Sequence, residues 1–392
     1  MGTSKVGRFD IPGEMARAWL QQPNPRGVSN ADVLHPWANG QELVGRPLDK
    51  WIIDFGVDMS AAEAALYQAP FAYVQKHVKP DRAKQRRDAY CQRWWIHAEA
   101  RPGLRKALRP LSRFIATPRV AKHRFFVWLP TGVIPDSRLF AICRDDDFTF
   151  GVLSSRIHSV WALANASRHG VGNDPTYNAR DCFETFPFPS RESAVLKKVE
   201  AASRDFHSLR EEWLNPPMWV ERSPEIVSGL PERLLPRLGY EADLKSRTMT
   251  NLYNDPPTWL TNAQSALDGA VAMAYGWSDY SADMNADTIL SRLLTLNYKQ
   301  ASDLFAGSNR PIRTVQHSNQ EVDSRESSRI PNGPRRKPGR STQGDLLIDN
   351  SVKAPSNVKS VTVVLRDNRR KPAIRVVDSG PMLRRRTRDR KA

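Results

Sequence analysis

RFIATPRVAKHRFFVWLPTGVIPDSRLFAICRDDDFTFGVLSSRIHSVWALA, residues 113–164, decides the fold class. Four short runs in it, RFIAT (113–117), RFFVWL (124–129), RLFAIC (138–143) and FTFGV (148–152), are rich in β-branched and aromatic residues. Each is bounded by Pro, Gly or Asp, the signature of a strand. WIIDF (51–55) upstream has the same character, and the five are expected to form one sheet. After the last run, Leu153, Ile157, Val160, Trp161 and Ala164 recur at steps of three and four, so a helix with one core face follows and stops near Gly170. Strands and helices mixed in this way predict an α+β fold with a mixed sheet and flanking helices.

Between WIIDF and RFIAT, Ser60 and Glu63 have capping-box spacing ahead of AAEAALY, which marks a helix start. The basic segment DRAKQRRDAYCQRWW (81–95) is expected to continue as another helix. Beyond Pro189 the pattern becomes helical only. Val195, Val199, Ala202, Phe206, Leu209 and Trp213 step by alternating fours and threes, an a/d seam. Helices at 259–275 and 287–297 complete a small helical bundle. The expected organisation is an N-terminal linker (1–24), a mixed-sheet domain (25–190), a helical domain (191–305) and a disordered basic tail (306–392).

The tail boundary is drawn by the aromatics. All 34 Phe, Trp and Tyr lie at or before Phe305, and a segment without them buries too little apolar surface to offset its ordering entropy. Its one strand-like stretch is VKSVTVVLRD (358–367), which pairs only if it finds an edge. Charge is equally uneven. The net charge of +17 divides into 0 over 1–80, +10 over 81–124, −6 over 125–306 and +13 over 307–392. Two basic blocks in an otherwise balanced or acidic chain suggest a polyanionic partner.

Several classes are excluded. No run approaches the ~18 apolar residues of a membrane span, and MGTSKVGRFD has no signal-peptide core. Cys91, Cys143 and Cys182 are odd in number and widely spaced, which argues against a disulfide framework or a thiolate zinc site. A reduced, cytoplasmic protein is the expectation.

Catalytic and cofactor motifs are likewise missing. No glycine-rich turn joins a strand to a helix; Gly170-Val171-Gly172 follows a helix instead. GxxxxGK[ST], HExxH and GxSxG are absent, and the eight histidines lack metal-ligand spacing. Asn215-Pro216-Pro217-Met218 and Asp255-Pro256-Pro257-Thr258 echo the (N/D)PP(Y/F/W) motif that grips a flipped base, but neither has its aromatic residue. They read as a helix terminator and a helix starter.

What the sequence does contain is a basic block threaded with aromatics. Over 81–130, Arg82, Lys84, Arg86, Arg87, Arg93, Arg119, Lys122, His123 and Arg124 alternate with Tyr90, Trp94, Trp95, Phe125, Phe126 and Trp128. Cations neutralise phosphates and release counterions, while the rings stack on bases or fill the core beneath. TPRVAKHR (117–124), a turn between two strands, is the best phosphate-contact candidate.

A resemblance emerges from longer stretches. VLHPWANGQELVGRPLDKWIIDFG, APFAYVQKHVKPDR, RWWIHAEARPGLRKAL, RFIATPRVAKHRFFVWL, FGVLSSRIHSVWALA, GVGNDPTYNARDCFETFPFP, REEWLNPP, TMTNLYNDPPTWL and LDGAVAMAYGW occur in this order over roughly residues 25–300. Together they resemble the C-terminal portion of MmeI-like, type IIL adenine-specific DNA methyltransferases. The resemblance implies a target-recognition domain followed by a helical segment. In the family, the catalytic domain with its S-adenosylmethionine site lies upstream. No cofactor is therefore expected in this chain, S-adenosylmethionine being expected on the missing or partner catalytic domain, and methyl transfer by this chain alone is not expected.

The same resemblance implies that a loop reads the bases. Arg pairs with guanine O6 and N7, Asn with adenine, and Asp with the cytosine amino group. SRHGVGNDPTYNARD (167–181) supplies Arg168, His169, Asn173, Asp174, Asn178 and Arg180 for base reading, and Arg119, Lys122, His123 and Arg124 are the candidates for phosphate contact. The expected partner is double-stranded DNA, together with a separate catalytic methyltransferase chain if this one is a subunit. The rival reading is a non-specific nucleic-acid-binding protein acting through its tail.

Overall fold

The computed structural model describes residues 1–169 and 174–307, with the backbone of Val361–Val363 and Ile374–Val376. The chain opens with β1 (Asp10–Pro12), α1 (Gly13–Leu20), β2 (Leu34–Ala38), α2 (Gly40–Val44) and β3 (Lys50–Ile53). Residues 1–24 are therefore not the expected linker. β1 pairs antiparallel with β3, with Ile11 opposite Trp51, and Phe9 and Ile11 are buried beside Trp51. These apolar side chains have a core to enter, which a linker would not offer.

Five helices follow: α3 (Ala61–Ala64), α4 (Gln68–His77), α5 (Lys79–Ala83), α6 (Asp88–Gln92) and α7 (Pro102–Leu108). The capping box forms as the sequence predicts: Glu63 N–H donates to Ser60 Oγ at 3.2 Å and Ser60 N–H to Glu63 Oε2 at 2.8 Å. The helix expected over 81–95 is instead split into α5 and α6. Arg82 turns inward, and its guanidinium donates to the carbonyls of Val6 and Lys5 at 2.7 Å and of Ile96 at 3.1 Å. A cation committed in this way is structural, so Arg82 leaves the phosphate-facing set.

The segment 113–164 folds as β4 (Arg113–Pro118), β5 (Val127–Pro130), β6 (Ile134–Pro135), β7 (Leu139–Ile142), α8 (Asp147–Ser154) and α9 (Arg156–Ala164). The α+β class and its mixed sheet are confirmed, but the strands divide between two sheets. One is ordered β1-β3-β2-β6, in which β2 and β6 run parallel, and the other is β5-β4-β7, all antiparallel. RFFVWL starts its strand only at Val127, because Arg124 is tied down and Phe125 and Phe126 plunge into the core.

FTFGV is helix, not strand. Asp146 caps α8 by accepting from Thr149 N–H at 2.9 Å, and every residue from Phe148 to Leu153 is buried. A continuous apolar run fits a helix enclosed on all sides as well as it fits a strand, and here the cap decides. Gly151 permits the enclosure: a Cβ there would stand 3.0 Å from Ser203 Cβ and 3.2 Å from Leu267 and Val199 side-chain carbons.

Next come β8 (Ser167–His169) and β9 (Asp174–Thr176), an antiparallel hairpin, and α10 (Ser193–Leu214). The helices-only expectation beyond Pro189 is corrected by β10 (Val220–Ser223) and β11 (Arg233–Pro236), a second hairpin flanked by stacked Trp219 and Tyr240. Then follow α11 (Glu241–Ser246), α12 (Met249–Asn254), α13 (Thr258–Ala274) and α14 (Ala286–Gly307). Asn215-Pro216 ends α10 and Pro257 caps α13, so both PP pairs punctuate helices. On α10, Val199 and Phe206 are fully buried but Leu209 is 39% exposed, so the seam is narrower than its periodicity.

The largest core joins Ile115, Phe126 and Phe140 of the sheet segment to Phe206, Leu267 and Leu293 of α10, α13 and α14. The expected tail lies, beyond Gly307, outside the described residues, except that Val361–Val363 pairs antiparallel with Ile374–Val376 in the one stretch read as strand-competent. Among the described residues, no helix is long and apolar enough to cross a membrane.

Candidate nucleic-acid interface

The hairpin β8–β9 is rooted on the basic turn that follows β4. Val120 bridges Thr176, and Tyr177 N–H donates to the Arg119 carbonyl at 2.7 Å. Arg124 closes the joint. Its guanidinium donates to Thr117 Oγ1 at 2.8 Å, to the Pro118 carbonyl and to the Pro175 carbonyl at 3.3 Å, and lies 5.0 Å from the centre of the Tyr177 ring. Burial pulls its pKa down to about 10, so it stays charged at neutral pH. Arg124 thus fastens the hairpin to the turn, and its donors are not directed at a phosphate.

Beneath the joint, Tyr177 hydroxyl and His158 Nε2 lie 3.1 Å apart, both fully enclosed. Burial first, and Arg124 second, pull the His158 imidazole down to about 3, which keeps it neutral. A neutral ring partners the phenol without adding a second positive charge beside Arg124.

Lys122 and His123 point to a different element. Lys122 Nζ donates to Asn254 Oδ1 at 2.6 Å, and His123 Nε2 meets the same oxygen at 2.9 Å. His123 also stacks on Tyr253 at 6.0 Å between centroids. The turn is therefore held by the C-terminal end of α12. Arg210 of α10, fully buried, adds a clamp through Phe126 carbonyl at 2.6 Å and Tyr253 hydroxyl at 3.3 Å. Asn254, Tyr253 and Arg210 are absent from the sequence-derived set because their contacts span 43 to 132 positions. The only local signal was Asn254 standing before the DPP stretch.

Of the remaining candidates, Arg119 is exposed at the root of the hairpin. Arg168 is exposed on β8 opposite Pro175, and the His169 backbone pairs with Asp174. Asn173 lies in 170–173, outside the described residues, as does Gly170-Val171-Gly172. Asn178 caps a turn of π-helix, Ala179–Glu184, its Oδ1 accepting from Asp181 N–H at 2.7 Å. That oxygen is committed, which leaves its amide nitrogen for other contacts. Arg180 stands exposed on the same turn, and π-helical turns cluster at functional sites.

The hairpin, the basic turn and the π-turn are joined at the Val120–Thr176 bridge and the Arg119–Tyr177 bond, with Arg119, Arg168 and Arg180 exposed around the joint. Residues 104–190 match the family model of the MmeI target recognition domain. All ten candidate residues fall inside this MmeI-type region. The chain is also similar to DNA methyltransferase A of Bacillus subtilis (strain 168), at 28% identity over 186 residues. That match covers 46% of this chain and 17% of the relative.

Its fold resembles that of the type IIL restriction-modification enzyme MmeI solved in complex with DNA, with a TM-score of 0.56 and 18% identity over 77% of this chain. The chain spans 35% of that MmeI chain, so at this identity the likeness establishes the fold of the MmeI-type region and its surroundings. Among the described residues, no group of three His, Cys, Asp or Glu is placed to hold a metal ion.

Proposed function

We propose that this chain recognises a defined sequence in double-stranded DNA, as the target-recognition part of an adenine-specific methyltransferase of a restriction-modification system. The observation that carries the reading is the joint just described: a two-stranded hairpin and a π-turn, bearing Arg168, Asp174 and Arg180, rooted on a cationic turn inside the MmeI-type region. Phosphate contacts from Arg119, Lys122 and His123 position the duplex. Lys122 keeps further donors beside its bond to Asn254. Base edges are read by Arg168, Asp174, Asn178 and Arg180, with His169 and Asn173 as further candidates from the sequence alone. Methyl transfer, with S-adenosylmethionine, belongs in this reading to a catalytic domain or chain other than the residues described.

The two kinds of contact separate in binding assays. Arg180→Ala should relax preference at one base pair, at a cost of about 1 to 3 kcal/mol, with other positions unchanged. Arg119→Ala should weaken all sequences alike and flatten the salt dependence by about one phosphate. If both substitutions act identically across a panel of single-base variants, the division of labour is wrong. A second reading, non-specific binding through the tail, draws on the +13 charge over 307–392. It requires affinity to vanish without that segment.

A further inference from the structure

A cavity of about 560 Å³ opens beside the hairpin root, lined among others by Gln41 and Val44 of α2, Arg119, Val120, Arg138 and Thr176. Two of these are arginines, and none of the lining residues is acidic. They are neighbours by construction. The Arg119 N–H donates to the Arg138 carbonyl at 2.7 Å, just past the final pair of the β4–β7 ladder, Pro118 opposite Leu139. The Arg138 side chain is 71% exposed, yet it is oriented from beneath: its Nε donates at 2.9 Å to Asp136, whose side chain is 5% exposed. Asp136 also accepts from the Arg138 N–H at 2.8 Å, which fixes the turn before β7. A long, exposed arginine held by a buried carboxylate loses less rotamer freedom on binding.

We infer that this cavity receives one nucleotide of the bound DNA, its phosphate between Arg119 and Arg138. Guanidinium groups match phosphate oxygens in geometry and charge. Val44 and Val120 offer apolar wall, and Gln41, Ser167 and Thr176 add neutral polar groups, a mixture that suits a sugar and base edge better than a bare anion. Gln41 lies outside the matched region 104–190, so the site extends the interface onto the N-terminal sheet unit. The inference rests on the DNA-recognition reading.

The test uses the full chain and fluorescence anisotropy with duplex DNA over a salt series. Arg138→Ala should weaken binding about 5- to 10-fold and make the salt slope shallower by about one. Gln41→Glu places a carboxylate in the first turn of α2, where the helix dipole favours it, so the fold is kept while the phosphate is repelled. It should lower affinity by a similar factor with an unchanged thermal midpoint. If the wild-type chain binds duplex and both variants match it in affinity and slope, the cavity assignment is overturned and DNA recognition stands. If the wild type binds no duplex, both fall. Inorganic phosphate and dAMP serve as competitors: tight binding of either one, lost in the variants while duplex affinity is untouched, marks a small-molecule pocket and overturns the assignment.

Discussion

His158 and Arg124 set the chemistry at the root of the β8–β9 hairpin. His158 is held neutral in the fold, its pKa pulled to about 3, whereas an unfolded histidine titrates near 6.5. The unfolded chain therefore takes up a proton that the folded chain refuses. Stability from this group is complete above about pH 6.5 and is lost as pH falls from there toward 3. His158→Gln should lower stability at neutral pH, because the Tyr177 contact is altered, yet flatten the loss between pH 6.5 and 4. Thermal midpoints measured across that range check it: an acid limb as steep as in the wild type would show that His158 does not titrate as described. Arg124 teaches a related lesson. Its sequence context, TPRVAKHR, gives it the same standing as Arg119 and Lys122, and only the positions of Thr117, Pro118 and Pro175 show that its donors are consumed internally.

Among the elements, α8 is the most instructive. Its sequence, DFTFGVLS, is buried from Phe148 to Leu153, and such a run carries no amphipathic period to separate helix from strand. The decisive features were Asp146 at the cap and Gly151 at the contact with α10 and α13, both visible in the sequence but interpretable only with the neighbours in place. Elements with a periodic stripe or an unambiguous cap, α3, α9, α10 and α13, were legible, and so were β3, β4 and β7. The division into two sheets was not, because pairing partners are set by tertiary register and not by composition. The same limit hid Asn254, which meets Lys122 and His123 from 131 or 132 residues away. Gly151→Ala should destabilise the chain by about 1 to 3 kcal/mol, since its methyl group would press into Ser203, Leu267 and Val199 at once. Urea denaturation should show a lower midpoint with an unchanged slope, and an unaltered midpoint would mean that the three helices yield without cost.

For the whole molecule, the MmeI-type region 104–190 shares its core with helices that follow it in sequence. Phe126 and Phe140 pack in the cluster that contains Val199, Phe206, Leu267 and Leu293, and α12 grips the basic turn through Asn254. The proposed recognition surface is thus presented by a scaffold assembled from both halves of the described chain. Rigid support of this kind is what base reading demands, because hydrogen-bond readout is lost with small displacements. The charge distribution leaves a competing source of affinity, the +13 over 307–392, which attracts any polyanion without regard to sequence. Scaffold and tail make opposite demands on one measurement. Duplexes captured from a random-sequence library should be sequenced for the full chain and for a chain ending at Gly307. One recurrent motif should be enriched by both proteins, with weaker overall capture by the shorter. Capture without any enriched motif, or a complete loss of capture in the shorter chain, would contradict recognition by the scaffold.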